Sequence, residues 1–543
     1  PVALEYDLEA GRRLYVEGRL DDGRALRATR AGQALEGAAA ACVQCHRGSG
    51  LGQVEGDYVV PPVSGRALFG AQRSVVVNAD RVRGKAMNLS HEPYTEAQVA
   101  AMLRDGRHAS GRRLDEVMPR YALGERELAA LLAYLRTLSA AWSPGVEREV
   151  LHLATVIAPG TDAARRRAFL ETLQAAVKRK NANTMPGRRH MVSAAEFTMK
   201  TERRWQLQVW ELEGEAHTWG AQLEARHARA PVFAILSGLS DGAWEPVQRF
   251  CEARRVPCWF PSVPQPGAAG ARNDWSLHFH RGVFLEADLL AGEISRQGTR
   301  EDVLQLVDDS PAARAGAVAL QAKLAAAGIG SRAVERIEPE RRDAGAIVLW
   351  GGPAALARWS GGAAPAAPLY VSGVLAGGDA SALDTAWAAR ARIAYPYELP
   401  ALRGQNTAYF RYWLAQAGVP LTHEVLQAEA YFAAAFLADT LGDMLENLHG
   451  DHLLERAELM LSRRESRKSE DERRDAQALR RYARAHPLAT PVSGAPADRE
   501  GTTVYPALAL GPGQRFASKG GYLLPVAQLF ATAPAGEIPW ITP

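Results

Sequence analysis

Cysteine is scarce in this chain: four in 543 residues, Cys42, Cys45, Cys251 and Cys258. So few exclude a disulfide-built scaffold. Charge of one sign is lacking too, since 64 basic against 61 acidic residues leave a net +3, too little to argue for nucleic acid. No run approaches the ~18 to 20 continuous apolar residues of a membrane span. The opening stretch PVALEYDLEAG has neither a basic n-region nor an apolar h-region, so the expectation is that a signal peptide has been removed or omitted. There is no Walker loop and no Gly-x-Ser-x-Gly elbow, and the Gly-Pro-Gly of LGPGQRF reads as a turn.

What is present starts with ACVQCHRGSG, residues 41–50. Cys42 and Cys45 are two residues apart, with His46 next, the run that attaches c-type haem. The two thiols add across the haem vinyl groups and the histidine becomes an axial iron ligand. A zinc half-site wants a second pair of ligands, and no Cys pair or Cys/His cluster follows nearby. A dithiol redox pair wants a strand before the motif, whereas GQALEGAAAACVQCH reads as helical and Ala-rich. Downstream, YTEAQVAAMLRDGRHASG predicts a helix capped by Thr95 and Gln98, and GERELAALLAYLRTL an amphipathic helix with Leu128, Leu131, Leu132, Leu135 and Leu138 on one face. Between them RLDEVMPRY places Met118 before Pro119.

With these features, residues from about 10 to 140 resemble a class I cytochrome c domain, an all-α fold with one covalent haem c. The resemblance implies that Met118 lies opposite His46, and that a proline carbonyl of DYVVPPVSG, from Pro61 or Pro62, orients the axial imidazole. Met87, His91, Met102 and His108 compete for the sixth position. Met102 reads as core and the two histidines as solvated, which leaves Met87 as the rival. Haem of this type is attached outside the cytoplasm, so a periplasmic location is expected. In such a compartment Cys251 and Cys258 of FCEARRVPC are open to two readings, a local disulfide or two small buried hydrophobes.

AAWSPGVEREV, around 141–147, reads as a linker, and the residues from 148 to 543 suit two lobes. HLATVIAP, WQLQVWEL, APVFAILSGLS and VPCWFPSV predict strands alternating with helices, the first begun by Thr161; a second run follows through DVLQLVDDS, AGAIVLWGG and APLYVSG. That rhythm predicts parallel sheets. Residues ~148 to 540 are similar to type I periplasmic substrate-binding proteins of the branched-chain amino-acid transporter family, with a split near 275 and a return near 398. The tail LGPGQRFASKGGYLLP more narrowly resembles substrate-binding-like proteins of pyrroloquinoline-quinone (PQQ) alcohol dehydrogenase systems. In the first-lobe turn SGLSDGAW, Ser237, Gly238 and Ser240 offer an anion site, with Trp244 or Phe260 to stack on a flat ligand; the same residues also suit a plain strand-to-helix turn. The mixed-sign run SRRESRKSEDERRDAQALRRYAR reads as a solvated helix face.

The expected protein is an α-helical cytochrome followed by a two-lobed α/β binding fold. It carries electrons rather than catalysing a reaction, and it binds a small molecule or docks a redox partner such as a quinoprotein dehydrogenase or another cytochrome. A transporter solute-binding protein with an accessory haem is the alternative. A peroxidase-like haem enzyme is a further one, disfavoured because a methionine sixth ligand leaves no open iron position.

Overall fold

The computed structural model describes residues 8–55, 58–70, 76–77, 87–88, 91–193, 198–267, 273–299, 301–337, 344–378, 380–464, 503–531 and 538–543. The chain divides into two compact units, neither continuous in sequence: Pro1–Glu149 with Met185–Arg203 and Asp443–Glu455, and Val150–Thr184 with Arg204–Gly442 and Arg456–Pro543.

In the first unit, helix Glu96–Asp105 opens on a complete capping box, Thr95 with Gln98, and stops at Gly106 in the left-handed conformation. Helix Glu125–Thr137 buries Leu128, Leu131, Leu132 and Leu135, which meet Leu14, Tyr15, Leu68, Val99 and Leu103 in one core. The all-α expectation holds only in part. Arg27–Arg30 pairs antiparallel with both Gln33–Glu36 and Arg120–Tyr121. The stretch GQALEGAAAA is therefore not helical up to the motif. Ala31 and Gly32, at φ 46° and 79°, form a two-residue hairpin turn, and Gly37 at φ 59° ends the strand before a 3₁₀ turn, Gly37–Ala40. With Gly37 left-handed before them and Ala41 extended after them (φ −64°, ψ 135°), the alanines are too few for an α-helix to nucleate. The segment from 185 to 203 adds a hairpin, Arg189–Ser193 with Thr198–Thr201. Buried Arg203 holds the later segment by an ion pair to Glu446 at 2.9 Å and also donates to the Glu147 carbonyl.

The second unit holds two sheets. The first comprises β1 (Val150–Ile157), β2 (Arg204–Glu211), β3 (Ala234–Leu236), β4 (Cys258–Trp259) and β5 (Ser276–Leu277), all parallel, in the order β2-β1-β3-β4-β5. The second comprises β6 (Val303–Val307), β7 (Ser331–Val334), β8 (Ala346–Trp350), β9 (Leu369–Ser372), β10 (Ala391–Tyr395) and β11 (Tyr522–Pro525), in the order β7-β6-β8-β9-β10-β11, with only β11 antiparallel. AIVLW and LYVS are buried along their whole length, as central parallel strands covered on both faces must be. Helix Ala163–Ala182 is capped by Asp162, whose carboxylate accepts from Ala164 and Arg165; Thr161, the expected cap, instead donates back to the Ala158 carbonyl. Strands β3 and β4 are shorter than their apolar runs suggest, because Ser237 (φ 55°) and Phe260 (φ 50°) turn left-handed and take the chain off the sheet.

Candidate haem site and ligand cleft

Val43–His46 is a single helical turn in which the His46 amide donates to the Cys42 carbonyl at 2.9 Å. His46 is buried, and its Nδ1 lies 2.9 Å from the carbonyl oxygen of Pro61, not of Pro62. A carbonyl only accepts, so Nδ1 carries the hydrogen. Burial also lowers the imidazole pKa and keeps the ring neutral. The lone pair then sits on Nε2, the atom an axial ligand presents to iron. Gly52 makes the closure feasible: at φ 70°, a Cβ there would fall 2.1 Å from the Val60 oxygen and 2.8 Å from the Pro61 oxygen.

Burial pushes the Cys42 thiol up to about 11, against the low values of redox dithiols. Among the described residues no group of three His, Cys, Asp or Glu could hold a metal ion, which removes support for a zinc site. Two unbridged cysteines beside an imidazole whose Nε2 has no hydrogen bond among the described residues are the donor set that covalent haem c requires, and Cys42, Cys45 and His46 fit it.

Met118 is half-buried and packs on the same core as Cys42 and Val43. Its competitors stand elsewhere. His91 and His108, expected to be solvated, are both half-buried around Tyr94. His91 stacks on that ring at 3.9 Å, while His108 places Nε2 2.9 Å from the Tyr94 hydroxyl and Nδ1 against Ser110, which commits both its nitrogens. Met102 is half-buried beside the buried Val99 and Leu103. The Met87 side chain lies outside the described residues, as does the charged run beyond Arg464.

In the second unit a cavity of about 870 Å³ opens where β1, β4, β6, β8 and β9 end, the carboxyl side of both sheets. The turn residues read from the sequence do not line it. Ser237 is fully buried and its hydroxyl donates to the Phe260 carbonyl. Ser240 is held by the Ala243 carbonyl and the Gly242 amide. Trp244 lies in the sheet core, its ring so close to Gly238 that a Cβ there would meet it at 2.4 Å. Phe260 belongs to an aromatic cluster with Phe279 and Phe432. The left-handed turn at Ser237 rotates these side chains inward. Their neighbours Asp241, Pro261 and Ser262 reach the cavity instead. Cys251 and Cys258 are free, buried thiols of the same core, hydrogen-bonded to each other.

The groups that do face the cavity were missed. Arg165 pairs with Asp241 at 3.1 Å and Arg403 with Glu424 at 3.7 Å. Asp308 accepts from the Ser310 and Gly352 amides at 2.9 and 2.8 Å. Glu429, pushed up to about 7 by burial, accepts from the Tyr505 hydroxyl. His278 is 1% exposed, stacks on Phe516, and finds no hydrogen-bond partner for either ring nitrogen among the described residues. His280, two positions along, uses Nδ1 to accept from Gly282. The signal available in the sequence was HFH at a strand end, two histidines on one face by the alternation of a strand.

Residues 30–139 match the family model of cytochrome c. No curated protein matches the chain. Among solved structures, a branched-chain amino acid ABC transporter protein from Thermus thermophilus with bound valine is 12% identical over 73% of this chain and 96% of its own, at a TM-score of 0.47. A possible leucine/isoleucine/valine-binding protein from Rhodopirellula baltica is 12% identical over 71% and 99%, at 0.45. A putative branched-chain amino acid ABC transporter protein from Rhodospirillum rubrum is 16% identical over 57% and 89%, at 0.39. No helix among the described residues is long and apolar enough to cross a membrane. The chain thus contains a cytochrome c domain at residues 30–139, which implies covalently bound haem c and electron transfer, together with an α/β unit of two largely parallel sheets.

Proposed function

We propose that this protein is a periplasmic one-electron carrier with a single haem c, fused to a unit that binds a small polar molecule, and that it is not an enzyme. The observation that carries the reading is the His46–Pro61 hydrogen bond, which fixes the tautomer an axial histidine needs. The group supplies a reversible ferric/ferrous couple. Cys42 and Cys45 would tether it, His46 and Met118 would ligate the iron, and the core around Leu68, Leu128 and Leu131 would keep water away.

The cavity supports a ligand-binding role for the second unit. Its cationic and anionic wall groups are largely answered by one another or by backbone amides, which favours an uncharged molecule with hydroxyl or carbonyl groups over a carboxylate or an amino acid. A quinoprotein alcohol dehydrogenase or another cytochrome is the redox partner we favour, on the sequence resemblance of the tail. The test of ligation is spectroscopic. The oxidised protein should show the near-infrared sulfur-to-iron charge-transfer band, and Met118→Ala should abolish it; a band that survives Met118→Ala and disappears in Met87→Ala would assign the sixth position to Met87.

A further inference from the structure

The loop that follows the axial histidine is held from far along the chain. Ser49, three positions after His46 and fully buried, donates its amide to Glu455 Oε1 at 2.9 Å and its hydroxyl to Oε2 at 2.6 Å, across 406 positions of sequence. Glu455 sits on helix 450–464, in the segment Asp443–Glu455 that belongs to the cytochrome unit. The same unit secures this segment by hydrogen bonds from Trp142 Nε1 to the Glu446 carbonyl and from Ser143 N–H to the Leu448 carbonyl. The Ser49 carbonyl accepts from Ser139, and the Arg47 carbonyl accepts from the Tyr15 hydroxyl at 2.7 Å. Further on, Gly50 and Gly52 tie the loop to Val63 and back to His46. The path from His46 to Pro61 is thereby pinned near its start by one carboxylate.

We infer that Glu455 is a positioning residue of the haem site, holding the His46–Pro61 loop through Ser49 and setting the reduction potential by keeping a buried negative charge beside that loop. The inference rests on the haem reading of residues 30–139. A carboxylate suits the place because it accepts at both oxygens, whereas an amide accepts at only one. Its charge acts with a definite sign: a nearby anion stabilises the ferric form, which carries the extra positive charge, and so lowers the potential. The effect is strongest where burial limits screening, and the Glu455 side chain is 11% exposed, with His452 Nδ1 3.5 Å from Oε2 as the titratable neighbour that offsets the charge when protonated.

The test uses the full chain with its haem, comparing midpoint potential by spectroelectrochemistry and amide exchange at residues 47–52. Glu455→Gln should move the potential to more positive values while covalent attachment is retained, and Glu455→Asp should bring it back toward the wild-type value. Ser49→Ala, which leaves the charge in place, should speed exchange of the loop amides and shift the potential less than Glu455→Gln. A Glu455→Gln protein with its haem attached and an unchanged potential overturns the inference. If that variant fails to fold, unchanged exchange and potential in Ser49→Ala overturn it equally. A wild-type chain that carries no covalent haem defeats the cytochrome reading itself, an outcome read from mass before any potential is measured.

Discussion

His278 in the second unit is buried with neither ring nitrogen answered among the described residues. Burial lowers its pKa to about 3, so the ring is neutral at ordinary pH, with one donor and one acceptor and no described partner for either. A buried, unanswered polar group costs roughly 1–3 kcal/mol. Such a cost is expected where a ligand, not the fold, completes the hydrogen bonds. His278→Phe keeps the stacking on Phe516 and removes both nitrogens. It should therefore stabilise the ligand-free full chain by about 1–2 kcal/mol in denaturant titrations. Destabilisation would mean that the ring is satisfied within the protein and does not face a ligand. The haem residues differ in how openly the sequence displays them. Cys42, Cys45 and His46 are contiguous, so one turn brings them together and spacing alone reveals them. His278 and Glu429 meet the same cavity from positions 151 apart (429 − 278), and no local pattern links them.

Glu286 shows how helices and strand ends are joined in the second sheet. It lies fully buried on helix Val283–Gln297, and its carboxyl takes hydrogen bonds from the Ser372 hydroxyl and the Val374 amide, which fastens the turn after β9. Burial raises its pKa to about 8, and that of Glu429 to about 7, from the ordinary 4.5. Between these values the folded state holds protons that the unfolded state has released, so stability falls as pH rises. His278 and His280, lowered from 6.5 to about 3 and about 4, act in the opposite sense, but their contribution is complete by about pH 6.5. Stability should accordingly decline between about pH 6.5 and 8 by about 2 kcal/mol, at up to ~1.4 kcal/mol per pH unit for each group. Glu286→Gln should flatten that decline in urea unfolding at a series of pH values; an equally steep decline in the variant would place its origin elsewhere. The helices and parallel strands were legible because long apolar runs and N-caps are local signals. What misled was the turn after β3: Ser237 and Ser240 have the composition of a binding turn, but the left-handed φ of Ser237 turns the hydroxyls into the protein. Backbone handedness at a non-glycine residue leaves no mark in the sequence.

At the scale of the molecule, neither unit is a continuous piece of chain. The alternation of motifs suggested one cut near 141–147, yet the cytochrome unit also takes residues 185–203 and 443–455, which supply Arg203, Glu446 and Glu455. Those segments escaped the sequence because each is short and carries no motif of its own; they are recognised only by what they bond. An account of electron transfer built on the first 140 residues would miss them, and measurements on this protein belong on the full chain. The electron-transfer reading of the first unit depends on haem bound through Cys42 and Cys45. The direct measurement is the intact mass of the denatured protein, produced by export in a cell that matures c-type cytochromes. The account predicts the polypeptide mass plus one haem that survives acid extraction, and its loss when Cys42 and Cys45 are both replaced by serine. A mass equal to the polypeptide alone, or a haem retained without those two cysteines, would contradict it.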